Sequence, residues 1–239
     1  MSRLPASVKS RRYDVRGRRA AALRRREGIL AAGRELMLRD GYAATTVASI
    51  AAAAAVSTET VYKAFGGKPG IVRALFRQAL DGAGPESAVA RSDRLREGAT
   101  GHALVAGWAE LAREVAPRGA PLALLLRDAA GHDPKARSVL DEIERTRLLR
   151  MRDNARALVA TGDVRPDLSL RDVTDVLFAV SSAELYELLV IRRGWSSRRF
   201  ARFQRETMAG ALLVQETADP AGQSPTTPRQ TERAPREGL

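Results

Sequence analysis

The sequence predicts an all-α protein, with an N-terminal three-helix unit built around a helix-turn-helix and a larger C-terminal helical bundle. Three observations carry that reading. Aromatic residues make up only 5% of the chain while Ala, Leu and Arg abound, a composition that favours helix. No segment alternates apolar and polar residues with the period of two that a half-buried strand needs. Finally, two short apolar runs, each preceded by a hydroxyl residue, sit within residues 45–65 at the spacing of two helices sharing one small core. A length of 239 residues with 44% hydrophobic content suits one small and one medium domain, each with a real core.

Thr45 and Thr46 stand immediately before an apolar-periodic run of Val47, Ile50, Ala51 and Ala54, so a hydroxyl can cap the first free N–H groups of a short helix. After Val56, Ser57 offers a second N-cap, with Thr60 at the third helical position and Val61 and Phe65 facing inward. The second helix then carries Thr58, Glu59, Thr60, Tyr62 and Lys63 on its outer and leading surfaces. In a helix-turn-helix, the N-terminal residues of that helix reach base edges in the major groove of double-stranded DNA. The alternative is a plain helical hairpin.

Chemically, Thr45, Tyr62, Lys63 and Lys68 carry hydroxyl or ammonium donors suited to phosphate oxygens, contacts that set register without reading sequence. Thr46 and Ser57, the caps of the two helices, are expected to contact DNA at the same surface. Thr58, Glu59 and Thr60 are the candidates for base edges, since a threonine methyl packs on thymine and a carboxylate accepts from the cytosine amino group. For Glu59 there is a second explanation, because a carboxylate in a helix's first turn is favoured by the helix dipole alone.

Taken together, Thr45, Thr46, Val47, Ile50, Ala51, Ala54, Val56, Ser57, Thr60, Tyr62, Phe65 and Lys68 resemble the signature of the TetR family of bacterial transcriptional regulators. Ile29, Leu30, Ala31, Ala32, Leu36 and Met37, followed by Asp40-Gly41-Tyr42, match that family's first helix and the break after it. The resemblance covers roughly residues 24–80. It implies a DNA-binding domain there, a C-terminal domain for a small-molecule effector and dimerisation, and Lys68 near the DNA backbone. Two departures stand out. The turn position that is usually glycine in the family is Ala55, which the left-handed region strains by about 1 kcal/mol. Gly66-Gly67-Lys68-Pro69 replaces the family's capped start of the next helix, although proline is tolerated in a first turn.

Upstream, Lys9, Arg11, Arg12, Arg16, Arg18, Arg19, Arg24, Arg25 and Arg26 are set against only Asp14 and Glu27. Like charges repel, so residues 1–23 are expected to form a disordered basic arm able to lie along phosphates or enter a minor groove. The net charge of +12 supports polyanion binding whatever the fold. A composition rich in arginine and alanine is equally the mark of GC-biased coding.

Zero cysteines exclude disulfides and thiolate chemistry, and His102 and His132 are the only histidines, so neither a metal site nor a catalytic set is indicated. No cofactor is implied. The Gly66-Gly67-Lys68 run lacks the remaining residues of a phosphate-binding loop, and no nucleophile has a base beside it, which disfavours an enzyme. No apolar run is long enough to cross a bilayer and no signal peptide is recognisable, so a cytoplasmic protein that does not engage a membrane is expected.

Asp81-Gly82-Ala83-Gly84-Pro85 breaks the helix pattern and marks a boundary between domains at 24–80 and 86–217. The second domain is expected to hold helices at 88–116, 121–130, 134–161, 169–193 and 196–217, interrupted at Pro117, Gly131 to Pro134, Gly162 to Pro166 and Gly194. Residues 218–239, rich in Pro, Gly, Thr and Gln, read as a disordered tail. The helices near 169–193 and 196–217 carry more apolar surface than one buried stripe, including Leu185, Leu188, Leu189, Phe200, Phe203 and Leu212. Burial against the same pair in a second copy would make a four-helix homodimer seam; the alternative is burial within one subunit.

An effector cavity, as the resemblance implies it, would lie between the helices near 88–116, 134–161 and 169–193. Its candidate contacts are His102, Trp108, Met151, Phe178, Ser181, Ser182 and Glu184, the larger or polar groups there. Glu184 faces the cavity, the dimer seam or solvent. Helix 67–80 is the natural lever, following the recognition helix and ending at the boundary. The leading functional reading is a ligand-responsive, sequence-specific regulator, expected to be a repressor on a palindromic operator. The competing one is a basic architectural DNA-binding protein with little sequence preference.

Overall fold

The computed structural model describes residues 9–82 and 84–215, and their regular structure is helical apart from one isolated antiparallel bridge between Val164 and Leu213. The order is α1 (Lys9–Asp40), α2 (Val47–Ala53), α3 (Thr58–Phe65), α4 (Lys68–Asp81), α5 (Ala88–Leu95), α6 (Gly101–Ala129), α7 (Pro134–Ala160), α8 (Leu170–Val180), α9 (Ala183–Tyr186) and α10 (Ser197–Leu212). Between α9 and α10 the chain makes a π-helical stretch, Glu187–Arg192. Among the described residues, no helix is long and apolar enough to cross a membrane.

Local chemistry explains most of the starts. Thr46 caps α2 by accepting from the Ser49 N–H at 2.9 Å, and Ser49 Oγ returns the favour to the Thr46 N–H at 3.1 Å. Ser57 accepts from the Thr60 N–H to start α3, Thr100 caps α6, Ser169 caps α8 in a box with Asp172, and Ser196 caps α10. α4 begins at Gly67 with no side-chain cap, as its sequence implies, and Pro69 occupies its first turn.

α1 extends through residues 9–23, where the sequence suggests a disordered arm. Arginine and alanine are among the best helix formers, so the run feeding into the buried Ile29 and Leu30 continues the helix backward despite its like charges. Residues 1–8 and the expected tail at 218–239 lie outside the described residues.

The C-terminal helices also divide differently from the sequence pattern. α6 passes straight through Pro117 and Pro121, and the expected helix at 88–116 is instead broken after Leu95, where Gly98 takes a positive φ of 77°. Each proline removes one backbone N–H donor, and α6 is supported across both by its packing against α4, α7 and α10. The expected helix at 169–193 is interrupted at Ser181 and Ser182, where Ser182 caps α9 anew.

Ile29, Met37, Ile50, Val61, Ile71 and Leu75 form the core of the α1–α4 unit, and it is continuous with Leu122 and Leu126 of α6 and Val139 and Ile143 of α7. The helix-turn-helix is thus sealed by the far ends of the long helices. A second core gathers Leu104, Trp108, Leu158, Val173, Leu177 and Leu212 from the opposite ends of α6 and α7 with α8 and α10. A smaller one joins Ala120, Tyr186 and Phe200, with the two rings edge to face at 5.3 Å.

Candidate functional site

The turn between α2 and α3 places the recognition surface. Ala55 adopts φ 52°, the only non-glycine in the left-handed region among the described residues, and Val56 N–H then bonds back to the Ala51 carbonyl at 2.9 Å. That backbone reversal lets Ile50 and Val61 meet in the core while α3 turns its other face outward. At the far end, Gly70 closes the α3–α4 corner: a Cβ there would lie 1.7 Å from the Phe65 carbonyl oxygen, a position only glycine can fill.

The exposed face of α3 carries Thr58, Glu59, Tyr62 and Lys63, with Tyr62 56% exposed. Lys63 beside it is exposed as well. Thr46 is exposed next to it on α2, its hydroxyl used as a cap. Ser57 and Thr60 are tied to each other, Oγ to Oγ1 at 2.9 Å, which fixes the start of α3.

Two of the sequence-derived contacts lie elsewhere. Thr45 is 2% exposed and its hydroxyl donates to the Gly41 carbonyl at 2.8 Å, so it holds the α1–α2 turn rather than facing a partner. Lys68 is half-buried; its ammonium donates to the Tyr42 carbonyl at 2.7 Å and sits 4.3 Å over the Tyr42 ring. Burial lowers the Lys68 pKa, partly offset by the Asp133 carboxylate, and burial together with Asp133 raises that of Tyr42. Lys68, Tyr42 and Asp133 thus join α4, the end of α1 and the start of α7 electrostatically. Arg26, read from the sequence as part of a basic arm, is also structural: it covers the Phe65 ring at 4.3 Å and donates to the Ala64 carbonyl at 3.2 Å. Arg18, Arg19, Arg24 and Arg25 remain exposed along α1.

Behind this unit lies a cavity of about 530 Å³ between α4, α5, α6, α7, α8 and α10. Its lining is mostly apolar, from Phe76, Leu111, Val115, Leu177, Phe200 and Met208. Of the residues singled out in the sequence, Trp108, Met151, Ser181 and Ser182 line it. Ser182 is occupied as the α9 cap, and Ser181 accepts from Arg147 at 3.1 Å. Phe178 is not in the lining; Arg147 stacks 3.5 Å above its ring and donates to its carbonyl at 2.6 Å, clamping α8 to α7. His102 is exposed near the start of α6, and Glu184 is exposed and paired with Arg127 at 3.4 Å, so neither faces the cavity.

Sequence reading missed Asn154 and Gln204, buried polar residues that line the cavity at 4% and 3% exposure. The only signal for either was an amide in an otherwise inward-facing helical position. α4 contributes Arg73, Phe76, Arg77 and Leu80 to the wall while packing Ile71 and Leu75 into the helix-turn-helix core. One helix is therefore shared by the two sites. Arg73 also pairs with Glu142 of α7 at 2.8 Å, and Arg34 of α1 donates to the Arg118 carbonyl of α6 at 3.2 Å.

Residues 29–75 match the model of the bacterial regulatory proteins of the tetR family. No curated protein matches the chain. Among solved structures, the chain is similar to the SmeT–triclosan complex, with 19% identity and a TM-score of 0.65, covering 86% of this chain and 99% of that one. It is similar also to FadR, a fatty acid degradation regulator from Bacillus halodurans, at 18% identity and TM-score 0.60, covering 78% and 95% of the two chains. A transcriptional regulator from Saccharomonospora viridis in complex with choline aligns at 18% identity and TM-score 0.60, covering 80% and 98%. At these identities the likeness is one of fold.

Proposed function

We propose that this chain, whose residues 29–75 carry the domain of the tetR family of bacterial regulatory proteins, is a ligand-responsive transcriptional regulator that binds a specific DNA sequence as a homodimer. The observation that carries this reading is the sharing of α4: it follows the recognition helix, packs into the same core and forms a wall of the cavity. A molecule that fits one position of α4 better than another biases the placement of α3, and with it the affinity for DNA. Two structures of the same fold hold small molecules, triclosan in one and choline in the other, which supports a ligand for the cavity here.

In this reading Thr58 and Glu59 meet base edges, Tyr62, Lys63 and Thr46 meet phosphates, and Thr60 supplies a methyl at the edge of the contact. Two copies are joined through α8 and α10, each placing an α3 in one of two major grooves about one helical turn apart, or a multiple of it. Ligand binding weakens DNA binding, the behaviour of a repressor. The exposed arginines of α1 favour a second reading, a basic protein that coats DNA without sequence preference.

Binding to the DNA immediately upstream of the protein's own gene, compared with a scrambled duplex across a salt titration, separates the two. A preference of about 10³ or more that disappears with Tyr62→Ala at unchanged thermal stability supports the regulator. Equal affinity that falls steeply with salt, with no effect of Tyr62→Ala, supports the coating protein.

A further inference from the structure

The cavity has its entrance between α4 and α7. Of the residues that line it, Arg77 of α4 and Glu142 and Thr146 of α7 are exposed, while the rest of the wall is buried or half-buried. Both helices start at the helix-turn-helix, where Ile71 and Leu75 of the one and Val139 and Ile143 of the other enter its core, and both run away from it side by side. Arg73 bridges them to Glu142 at 2.8 Å. One helical turn further on, Arg77 and Thr146 stand at the same level, and a turn beyond that α7 brings Arg150 to the wall.

This entrance carries more positive than negative charge. Arg73 is balanced by Glu142, but Arg150 shares the single carboxylate of Asp93 with Arg96, and Arg77 has no ion-pair or hydrogen-bond partner among the described residues. Four guanidiniums therefore meet two carboxylates around it. Asp81, a turn along α4 from Arg77, is exposed and outside the wall. The remaining charges of the wall, Arg147 and Glu144, pair with each other at 2.7 Å. Further in, Phe76, Leu111, Val115, Leu177, Phe200 and Met208 make the lining apolar. The volume of about 530 Å³ falls in the range of roughly 300–1,000 Å³ typical of small-molecule sites.

We propose that the cavity takes an anionic amphiphile, whose carboxylate or phosphate oxygens meet Arg77 at the entrance and whose hydrocarbon body lies among the apolar side chains inside. This rests on the reading of the cavity as the effector site and adds the chemistry of the effector. A guanidinium presents a fork of N–H donors that matches either headgroup, and a charge-assisted bond is roughly twice as strong as a neutral one. Held at an exposed entrance, the anion keeps part of its hydration and has a counter-ion, so the cost of burying a lone charge does not arise. The headgroup rests on α4, the helix that the cavity shares with the recognition unit.

Decanoate, decyl phosphate, decanamide and decyltrimethylammonium, titrated calorimetrically into the full chain, test it, because they share one hydrocarbon chain and differ in the headgroup. The better-bound anion is expected to bind at least about tenfold tighter than the amide or the cation, and which of the two anions it is identifies the headgroup. Added salt should weaken the anions and leave the amide unchanged, since the headgroup sits at an exposed site. Arg77→Gln, at an exposed position without a partner, is expected to weaken the anions about tenfold and spare the amide, and Arg77→Lys to recover part of the loss. The amide binding as tightly as both anions overturns the proposal, as do preference for the cation, failure of all four to bind, or an Arg77→Gln variant that holds the anions as the unmodified protein does. DNA binding measured on the same preparations separates this from the functional reading: intact sequence preference with no discrimination among the probes sinks the ligand class alone, whereas lost sequence preference with a bound anion sinks the regulator and leaves the site.

Discussion

The Lys68 ammonium donates to the carbonyl oxygen of Tyr42 at 2.7 Å and lies 4.3 Å above the same residue's ring. A lysine held twice by one residue, half-buried and lowered in pKa by that burial, braces α4 against the end of α1. Lys68→Met is therefore expected to lower stability by about 1–2 kcal/mol while leaving the salt dependence of DNA binding unchanged. Lys63→Met, on the exposed face of α3, should do the reverse: no stability change beyond about 0.5 kcal/mol and a salt slope smaller by about one. Thermal unfolding and a salt titration of DNA binding, run on both variants, check the pair.

Ala55 at φ 52° holds the turn of the helix-turn-helix in a conformation that costs an L-residue about 1 kcal/mol. The side chain is exposed, so Ala55→Gly loses no packing. Part of the relief is cancelled by the greater freedom of glycine in the unfolded chain. The net expectation is a gain of up to about 1 kcal/mol in chemical denaturation, with DNA binding unchanged.

Gly70→Ala tests the opposite corner. With the added Cβ 1.7 Å from the Phe65 carbonyl oxygen, α3 and α4 have to move apart. A loss on the order of 3 kcal/mol in unfolding free energy is expected, with DNA binding weakened in the fraction that remains folded, because α3 is displaced.

Asp133 caps α7, accepting from the N–H groups of Lys135 at 2.8 Å and Ala136 at 3.2 Å. Desolvation raises its pKa, but those backbone bonds, Tyr42 and Lys68 outweigh it, and the net shift is downward. A carboxyl whose pKa falls on folding contributes stability above its unfolded value of 3.8, and that contribution is lost as pH drops through the lower folded value. Asp133→Ala should cost about 1 kcal/mol at neutral pH, with the difference from the unmodified protein shrinking in acid below that window. Asp133→Asn, which can still cap, should retain most of the stability at neutral pH and lose the acid dependence. Urea denaturation at several pH values reads all three.

What the sequence disclosed was local. The caps at Thr46 and Ser57, the strained turn at Ala55 and the uncapped start of α4 are each decided within a few residues, and the structure has them as the sequence implies. Pro117 misled because a proline's effect depends on what supports the helix around it; α6 is packed along its length against α4, α7 and α10, which hold it through two missing bonds. Thr45 and Lys68 carry donors, and only the fold decides that those donors turn inward to Gly41 and Tyr42. The cavity was least legible, since Asn154 and Gln204 come to line it only when α6, α7, α8 and α10 fold together.

The central claim is that α3 reads a defined DNA sequence, and selection of bound duplexes from a randomised pool by the purified protein tests it most directly. The account predicts enrichment of an inverted repeat whose half-sites lie about one helical turn apart or a multiple of it, with Tyr62→Ala abolishing enrichment in a protein that still folds. Recovery of sequences no different from the starting pool, at an affinity governed by salt alone, would contradict it.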